Sequence, residues 1–292
     1  MLAYSQRPTE SILSTLLVEG PLLCTEKMDG IRCLNGDLGA VSRKLIQIPN
    51  RHIVATLQKD FGGMRLDGEL LTYTDGLLDD FNTVQSKVMA RDGAPDFKYH
   101  IFDVWGVDDD YQGRAGWLSH FLTETGAHHR TVLPRWAFSV EDVYALEQQY
   151  IEAGWEGMIA RTARSPYKQG RSTAREGYML KFKPFADEEA TIVGFEERMH
   201  NANLQGMDNL GFSKRSSHQE GKVPTGMLGS FVVRSPKWGM FNVSPGPLTE
   251  LQRCNVWQNQ EEWLHKQITF KYQPNHSKDK PHAAQYKAIR HL

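Results

Sequence analysis

The pattern of apolar and polar positions predicts mixed helices and strands up to Pro184 and mostly short strands after it. Residues 9–18, with Ile12, Leu13, Leu16, Leu17 and Val18 among polar neighbours, predict a short amphipathic helix. The apolar run Pro21–Thr25 has strand character, so a strand from Leu22 delivers Lys27 at its end. Asn35-Gly36-Asp37 is a turn that joins this region, as a hairpin, to a short strand entering Val41-Ser42-Arg43. A helix-like segment at 50–60 leads to residues 64–73. These alternate like a strand, with a bulge or tight turn at Asp67-Gly68. Lys98–Trp105 is a strand by residue type. Ser139-Val140-Glu141-Asp142 opens a helix with a capping-box pattern, and Gly154 closes it. Trp155–Arg161 is a strand, 168–177 a polar basic loop, and Tyr178–Lys183 a strand that Pro184 ends.

Beyond Pro184 the expected strands are Ala190–Glu197, Gly226–Arg234, Trp238–Val243 and Gln267–Tyr272, with one helix at 248–258. That pattern suggests a small β-barrel, and a boundary near Pro184–Asp187 divides the chain into domains 1–184 and 185–292. The 34 Lys and Arg against 35 Asp and Glu leave a net charge of −1, so no overall basic balance announces nucleic acid. A phosphate-binding surface needs local clusters instead. Cys24, Cys33 and Cys254 form no C-x-x-C pair. They fit neither a zinc site nor a disulfide framework, and read as reduced residues of a cytoplasmic protein. Neither a signal peptide nor a membrane-spanning run is evident.

The chemistry gathers around Glu26-Lys27-Met28-Asp29-Gly30-Ile31-Arg32. Strand alternation puts Lys181 and Lys183 on one face and Leu180 and Phe182 on the other. The lysine face is either an edge protected by charge or a clamp for phosphate oxygens. A lysine nucleophile must be unprotonated, and nearby cations and burial both favour that form. Lys181 and Lys183 beside Lys27 would supply them, while Asp29 suits orientation and substrate contact. Glu69 could accept from a ribose hydroxyl, Phe102 could stack on a purine, and Glu156 could help to hold magnesium. Basic residues crowd 161–183: Arg161, Arg164, Lys168, Arg171, Arg175, Lys181 and Lys183. Lys214, Arg215 and Lys222 form a second group. Both suit backbone contacts to a nucleic acid.

Six fragments in order carry a resemblance: residues 26–32, Ser42-Arg43, Asp67-Gly68-Glu69-Leu70, Ile101-Phe102-Asp103, Glu156-Gly157-Met158-Ile159 and Leu180-Lys181-Phe182-Lys183. They resemble motifs I, Ia, III, IIIa, IV and V of the covalent nucleotidyltransferases, and most of all the compact ATP-dependent DNA ligases of viruses. Tyr167–Thr173, Ala186–Val193, Gly211–His218 and Val256-Trp257-Gln258-Asn259 extend the likeness over nearly the whole chain. The resemblance implies an α+β adenylation domain of antiparallel sheets with flanking helices, then an OB-fold domain with a β-hairpin latch near 201–223. It implies a monomer that seals nicks in duplex DNA with ATP and Mg or Mn, through a lysyl-AMP and a DNA-adenylate.

Residue by residue, it makes Lys27 the nucleophile, with Asp29, Lys181 and Lys183 catalytic. ATP or AMP would meet Thr25, Glu26, Arg32, Glu69, Phe102, Lys181, Lys183 and Arg290. DNA would meet Arg32, Arg43, Lys168, Arg171, Arg175, Lys214, Arg215 and Lys222. Glu156 and Glu69 would hold the metal. The last motif departs from the family: His282 stands where an arginine is usual, although Arg290 is retained. Self-adenylylation could therefore be slower or use Lys287 or His282. RNA ligases, capping guanylyltransferases and a non-catalytic nick clamp are the competing readings.

Overall fold

The sheets that carry Lys27 and Glu69 are different sheets, and a three-residue turn joins them. A computed structural model describes residues 1–122, 128–209, 211–274 and 279–290. They fall into two compact units, Met1–Lys183 and Pro184–Leu292. The first begins α1 (Glu10–Glu19), β1 (Leu22–Lys27), β2 (Ile31–Asn35), β3 (Val41–Ser42), α2 (Arg51–Phe61), β4 (Leu66–Thr74), β5 (Leu77–Leu78) and α3 (Phe81–Met89). It continues with β6 (Asp96–Val104), α4 (Tyr111–Phe121), β7 (His129–Thr131), β8 (Arg135–Ala137), α5 (Val140–Glu152), β9 (Gly157–Thr162) and β10 (Leu180–Phe182).

One sheet has the order β10-β9-β1-β8; the other runs β3-β2-β4-β6-β7, with β5 on β4. All pairings are antiparallel except β6 with β7. Helices α1 and α5 cover the first sheet, burying Leu13, Leu16, Val143 and Leu146 against Cys24, Leu180 and Phe182. Helices α2, α3 and α4 cover the second, with Ile53, Leu57, Val84, Val88 and Leu118 on Leu70, Tyr99 and Ile101. Thr9 caps α1 and Ser139 closes a full capping box with Asp142 on α5. The register shifts opposite Asp67-Gly68, but the extra residue is Phe102 of β6, so the bulge lies in the facing strand and not in β4.

Some elements differ from expectation. Helices α3 and α4 have no counterpart in the sequence reading. Gly113 and Gly116 lower the helix propensity of α4, but it buries Leu118 and Arg114, and tertiary packing prevails. Strand β10 is three residues long, not six. The Met179 carbonyl accepts from Tyr4 N–H and its N–H donates to Ser172 Oγ, so its backbone is satisfied by the N-terminal segment and the basic loop.

The second unit holds β11 (Ala186–Asn201), β12 (Gln205–Met207), β13 (Ser213–Arg215), β14 (Lys222–Ser235), β15 (Gly239–Val243), α6 (Glu250–Gln258), α7 (Gln260–Trp263), β16 (Gln267–Gln273) and β17 (His282–Ile289). Its five-stranded antiparallel sheet runs β15-β14-β11-β16-β17. An isolated bridge between Ser244 and Gln285 brings the two edges together. Strands β11 and β14 extend past their expected ends and lead into the separate β12–β13 hairpin. Strand β17 has no counterpart in the sequence reading; its alanines at 283, 284 and 288 give no clear period-two contrast.

Candidate active site

Lys27 stands at the last position of β1, where the chain leaves one sheet for the other. The crossing needs Gly30, because a Cβ there would lie 2.3 Å from the Leu70 carbonyl oxygen. Opposite Lys27 in the register is Gly157 of β9. A Cβ at 157 would come 2.1 Å from the Phe182 carbonyl, so only glycine lets β10 approach this closely. Glu156, just before that glycine, donates its N–H to the Lys27 carbonyl. Its buried carboxylate meets Lys27 Nζ with one oxygen and Lys183 Nζ with the other.

Strand alternation aligns Lys27 and Thr25 with Ile159 and Lys181 on one face. Burial first, then the cations of Lys183, Arg171 and Lys27, holds Lys181 below the usual lysine range. The three lysines of the sequence reading therefore meet, but with an unforeseen partner. A carboxylate separates two of them, and the amine of Lys27 must part from Glu156 before it can attack anything.

The second sheet supplies the facing residues. Arg32 pairs with Glu69, Glu69 with His100, and His100 with Arg130, so four side chains form one row across β2, β4, β6 and β7. Phe102 lies two residues along from His100 on the same face. It packs against the buried cluster of Met28, Leu71 and Val132, which Tyr73 and Trp155 also cover. Burial pushes Glu69 up to about 7, against Lys27 and Arg32 and with Asp67 and Glu156. Arg32 is spent internally: it grips Asp67 with two nitrogens and donates to the Met1 carbonyl. Burial alone would raise the Asp67 carboxyl, but Arg32 holds it below its usual range, and Tyr167 donates to it over 2.7 Å.

Behind Phe102 lies a cluster that sequence reasoning missed. Asp103, fully buried, accepts from Arg114 Nε at 2.7 Å and from Arg161. Arg161 also stands 4.4 Å over the Tyr111 ring and 5.8 Å from the Phe102 ring centre. The signal is present only in part: Asp103 lies in the Ile101-Phe102-Asp103 motif, whereas Arg161 stands among the basic residues of 161–183 that suggest nucleic-acid contacts.

A family model described as "ATP dependent DNA ligase domain" matches residues 1–183. The chain belongs to the ATP-dependent DNA ligase family. The DNA ligase of African swine fever virus is 32% identical over 145 residues, 48% of this chain and 33% of that protein. The match thus spans about a third of the length of this curated relative. The solved Chlorella virus DNA ligase-adenylate is 27% identical, with 100% of this chain and 97% of that one covered at a TM-score of 0.54. A structure from work on Lig E DNA ligases is 19% identical, with 99% and 98% covered at a TM-score of 0.68, and speaks for the fold alone.

In this ligase-family chain the remaining sequence-assigned residues are dispersed. Asp29 is half-buried in the crossing turn, and Arg43 is exposed just past β3. Lys168 is bound to both oxygens of Glu176, at 2.7 and 2.9 Å, and Arg171 donates to the Ala3 carbonyl at 2.7 Å. Arg175 is exposed. In the second unit Lys214 and Arg215 project from β13 and Lys222 opens β14. Arg290 pairs with Glu189, and Lys287 with Asp187. No group of three or more His, Cys, Asp or Glu side chains is arranged to hold a metal among the described residues. No helix among them is long and apolar enough to cross a membrane.

Proposed function

We propose that this chain seals 3′-hydroxyl/5′-phosphate nicks in duplex DNA at the expense of ATP. The observation that carries the reading is the convergence of Lys27, Lys181, Lys183 and Glu156 on one sheet, with Glu69 and Phe102 on the neighbouring sheet that the Met28–Gly30 turn joins to it. In the first step the Lys27 amine forms a bond to the α-phosphorus, loses its proton, and pyrophosphate leaves. In the second, a 5′-phosphate oxygen takes the AMP from Lys27. In the third, the 3′-hydroxyl attacks that phosphate, AMP leaves, and the strand is closed. Lys181 and Lys183 balance the phosphate charge, Glu69 holds the ribose, Phe102 stacks on the base, and the Thr25-Glu26 main chain meets its edge. Asp29 orients, Arg43 meets the nick phosphate, and Arg32 joins it on releasing Asp67 and the Met1 carbonyl.

Glu156 and Glu69 offer hard oxygen donors and would hold a magnesium ion. Such an ion would neutralise phosphate charge. The second unit acts as an OB-fold domain whose β12–β13 hairpin, with Lys214, Arg215 and Lys222, closes on the duplex. Lys168, Arg171 and Arg175 add backbone contacts, and Arg290 assists the first step. The chain works as a monomer.

The test is incubation with α-labelled ATP and magnesium, followed by a search for acid-stable AMP on the protein and by a nick-sealing assay. Wild type should label and seal, and Lys27→Ala should do neither. A Lys27→Ala protein that still takes up AMP would remove the assigned nucleophile. Sealing of RNA nicks alone would overturn the DNA substrate.

A further inference from the structure

Strand β10 carries Lys181 and delivers Lys183 just past its end, yet it is three residues long and lies at the edge of its sheet, paired with β9. Edge strands of this length open easily at their ends. The N-terminal segment holds both ends. Just before β10, Tyr4 N–H donates to the Met179 carbonyl at 2.8 Å. Just after it, Arg7 Nη1 lies 3.5 Å from the Lys183 carbonyl oxygen, and the Arg7 guanidinium carbon stands 5.2 Å from the Phe182 ring centre.

Arg7 is itself anchored. Its two terminal nitrogens donate to the two carboxylate oxygens of Glu147 at 2.5 and 2.6 Å, a bidentate pair. Glu147 belongs to α5, and its side chain is 7% exposed. From α5 the chain runs through Gly154 to Glu156, whose carboxylate meets Lys183 Nζ. Segments 147–156 and 180–183 are therefore tied twice, directly by Glu156 with Lys183 and indirectly by Glu147 through Arg7. A lysine amine sits on a flexible four-carbon stem, so it is placed only as well as the main chain beneath it.

We propose that Arg7, anchored by Glu147, is a positioning residue for AMP attachment: it fixes the main chain at Lys183 and so sets the two lysine amines against the phosphates. This rests on the reading of Lys27 as the nucleophile of an ATP site. Were Arg7 only a brace for the fold, its loss would cost stability and leave the rate per folded molecule unchanged.

The experiment reads single-turnover AMP attachment, as the maximal rate and the ATP concentration that gives half of it. It compares wild type, Arg7→Met, Arg7→Lys and the double variant Arg7→Met/Glu147→Met, at a temperature where circular dichroism shows each to be folded. Arg7→Met strands the Glu147 carboxylate and should lower both Tm and rate. The double variant strands no charge, so its Tm should return towards wild type. Its maximal rate should stay about tenfold or more below wild type, with half-saturating ATP within about threefold, because misplaced charge is felt most in the transition state. Arg7→Lys keeps the cation beside Glu147 but loses the fork, and should be slowed about threefold or more. It decides the question if the double variant does not fold. A double variant with the wild-type rate overturns the proposal, as does Arg7→Lys with that rate where it stands alone. A loss confined to half-saturating ATP overturns it too. A wild type that takes up no AMP sinks the ATP-site reading itself, and this inference with it.

Discussion

Replacing Asp103 with asparagine should cost the first unit more stability than any surface charge change. The side chain is fully buried between Arg114, 0% exposed, and Arg161, 2% exposed. Asparagine keeps the shape and one acceptor oxygen. It puts an amide NH2 against a guanidinium and leaves two buried cations without their shared counter-charge. Arg114 retains the Asp109 and Ser165 carbonyls, at 2.7 and 3.1 Å, whereas Arg161 retains chiefly the Tyr111 and Phe102 rings. Removing one partner of a buried ion pair costs roughly 3–5 kcal/mol. For a unit of this size that is about 6–20 °C in Tm. Urea unfolding followed by tryptophan fluorescence reads the loss as a lower midpoint at constant slope. Asp37→Asn is the control: it breaks the Arg65–Asp37 pair, 47% and 61% exposed, and should cost under about 1 kcal/mol. A triple change of Asp103, Arg114 and Arg161 to apolar residues of similar size should be milder than Asp103→Asn alone, because no charge is then stranded. An Asp103→Asn protein within about 1 kcal/mol of wild type would refute the reasoning.

The other predictions concern protons, a close approach and the hairpin. The Glu69 carboxyl rises from 4.5 to about 7 in the folded chain. Across that window the folded state keeps a proton that the unfolded state has released. The associated stability is complete below 4.5 and is lost as pH rises through about 7. Glu69→Gln should therefore match wild type near the acid end and exceed it by roughly 2–3 kcal/mol at about pH 8. Melts in which the two proteins differ equally at both pH values would contradict this. Gly157→Ala should break the β9–β10 pairing, displace Lys183 and slow AMP attachment more than about tenfold; labelling at the wild-type rate would show that the approach is not tight. Deleting Asn203–Glu220 should spare AMP attachment, weaken nick binding and flatten its salt dependence. An unchanged salt slope would mean that the hairpin does not touch DNA.

Much of this protein was legible in its residues. Motif order, glycine placement and the alternation of Lys181 with Phe182 pointed to the family, and a family model confirms it over residues 1–183. The capping box at Ser139 marked a helix that forms where expected, since a cap is a local hydrogen bond. Pairing between distant segments was not legible. Nothing near Arg161 announces that Asp103 will meet it, and nothing near Met1 announces that its carbonyl will take a donor from Arg32. The same holds for Glu156, expected as a metal ligand but found bridging two lysines, and for Arg130, which no motif marks and which pairs with Glu26. The sequence by itself determined which chemical groups are present and which face of each strand they occupy, because periodicity is a property of the local backbone. Tertiary structure alone decided which charges neutralise one another, because that depends on how the strands carrying them are brought together.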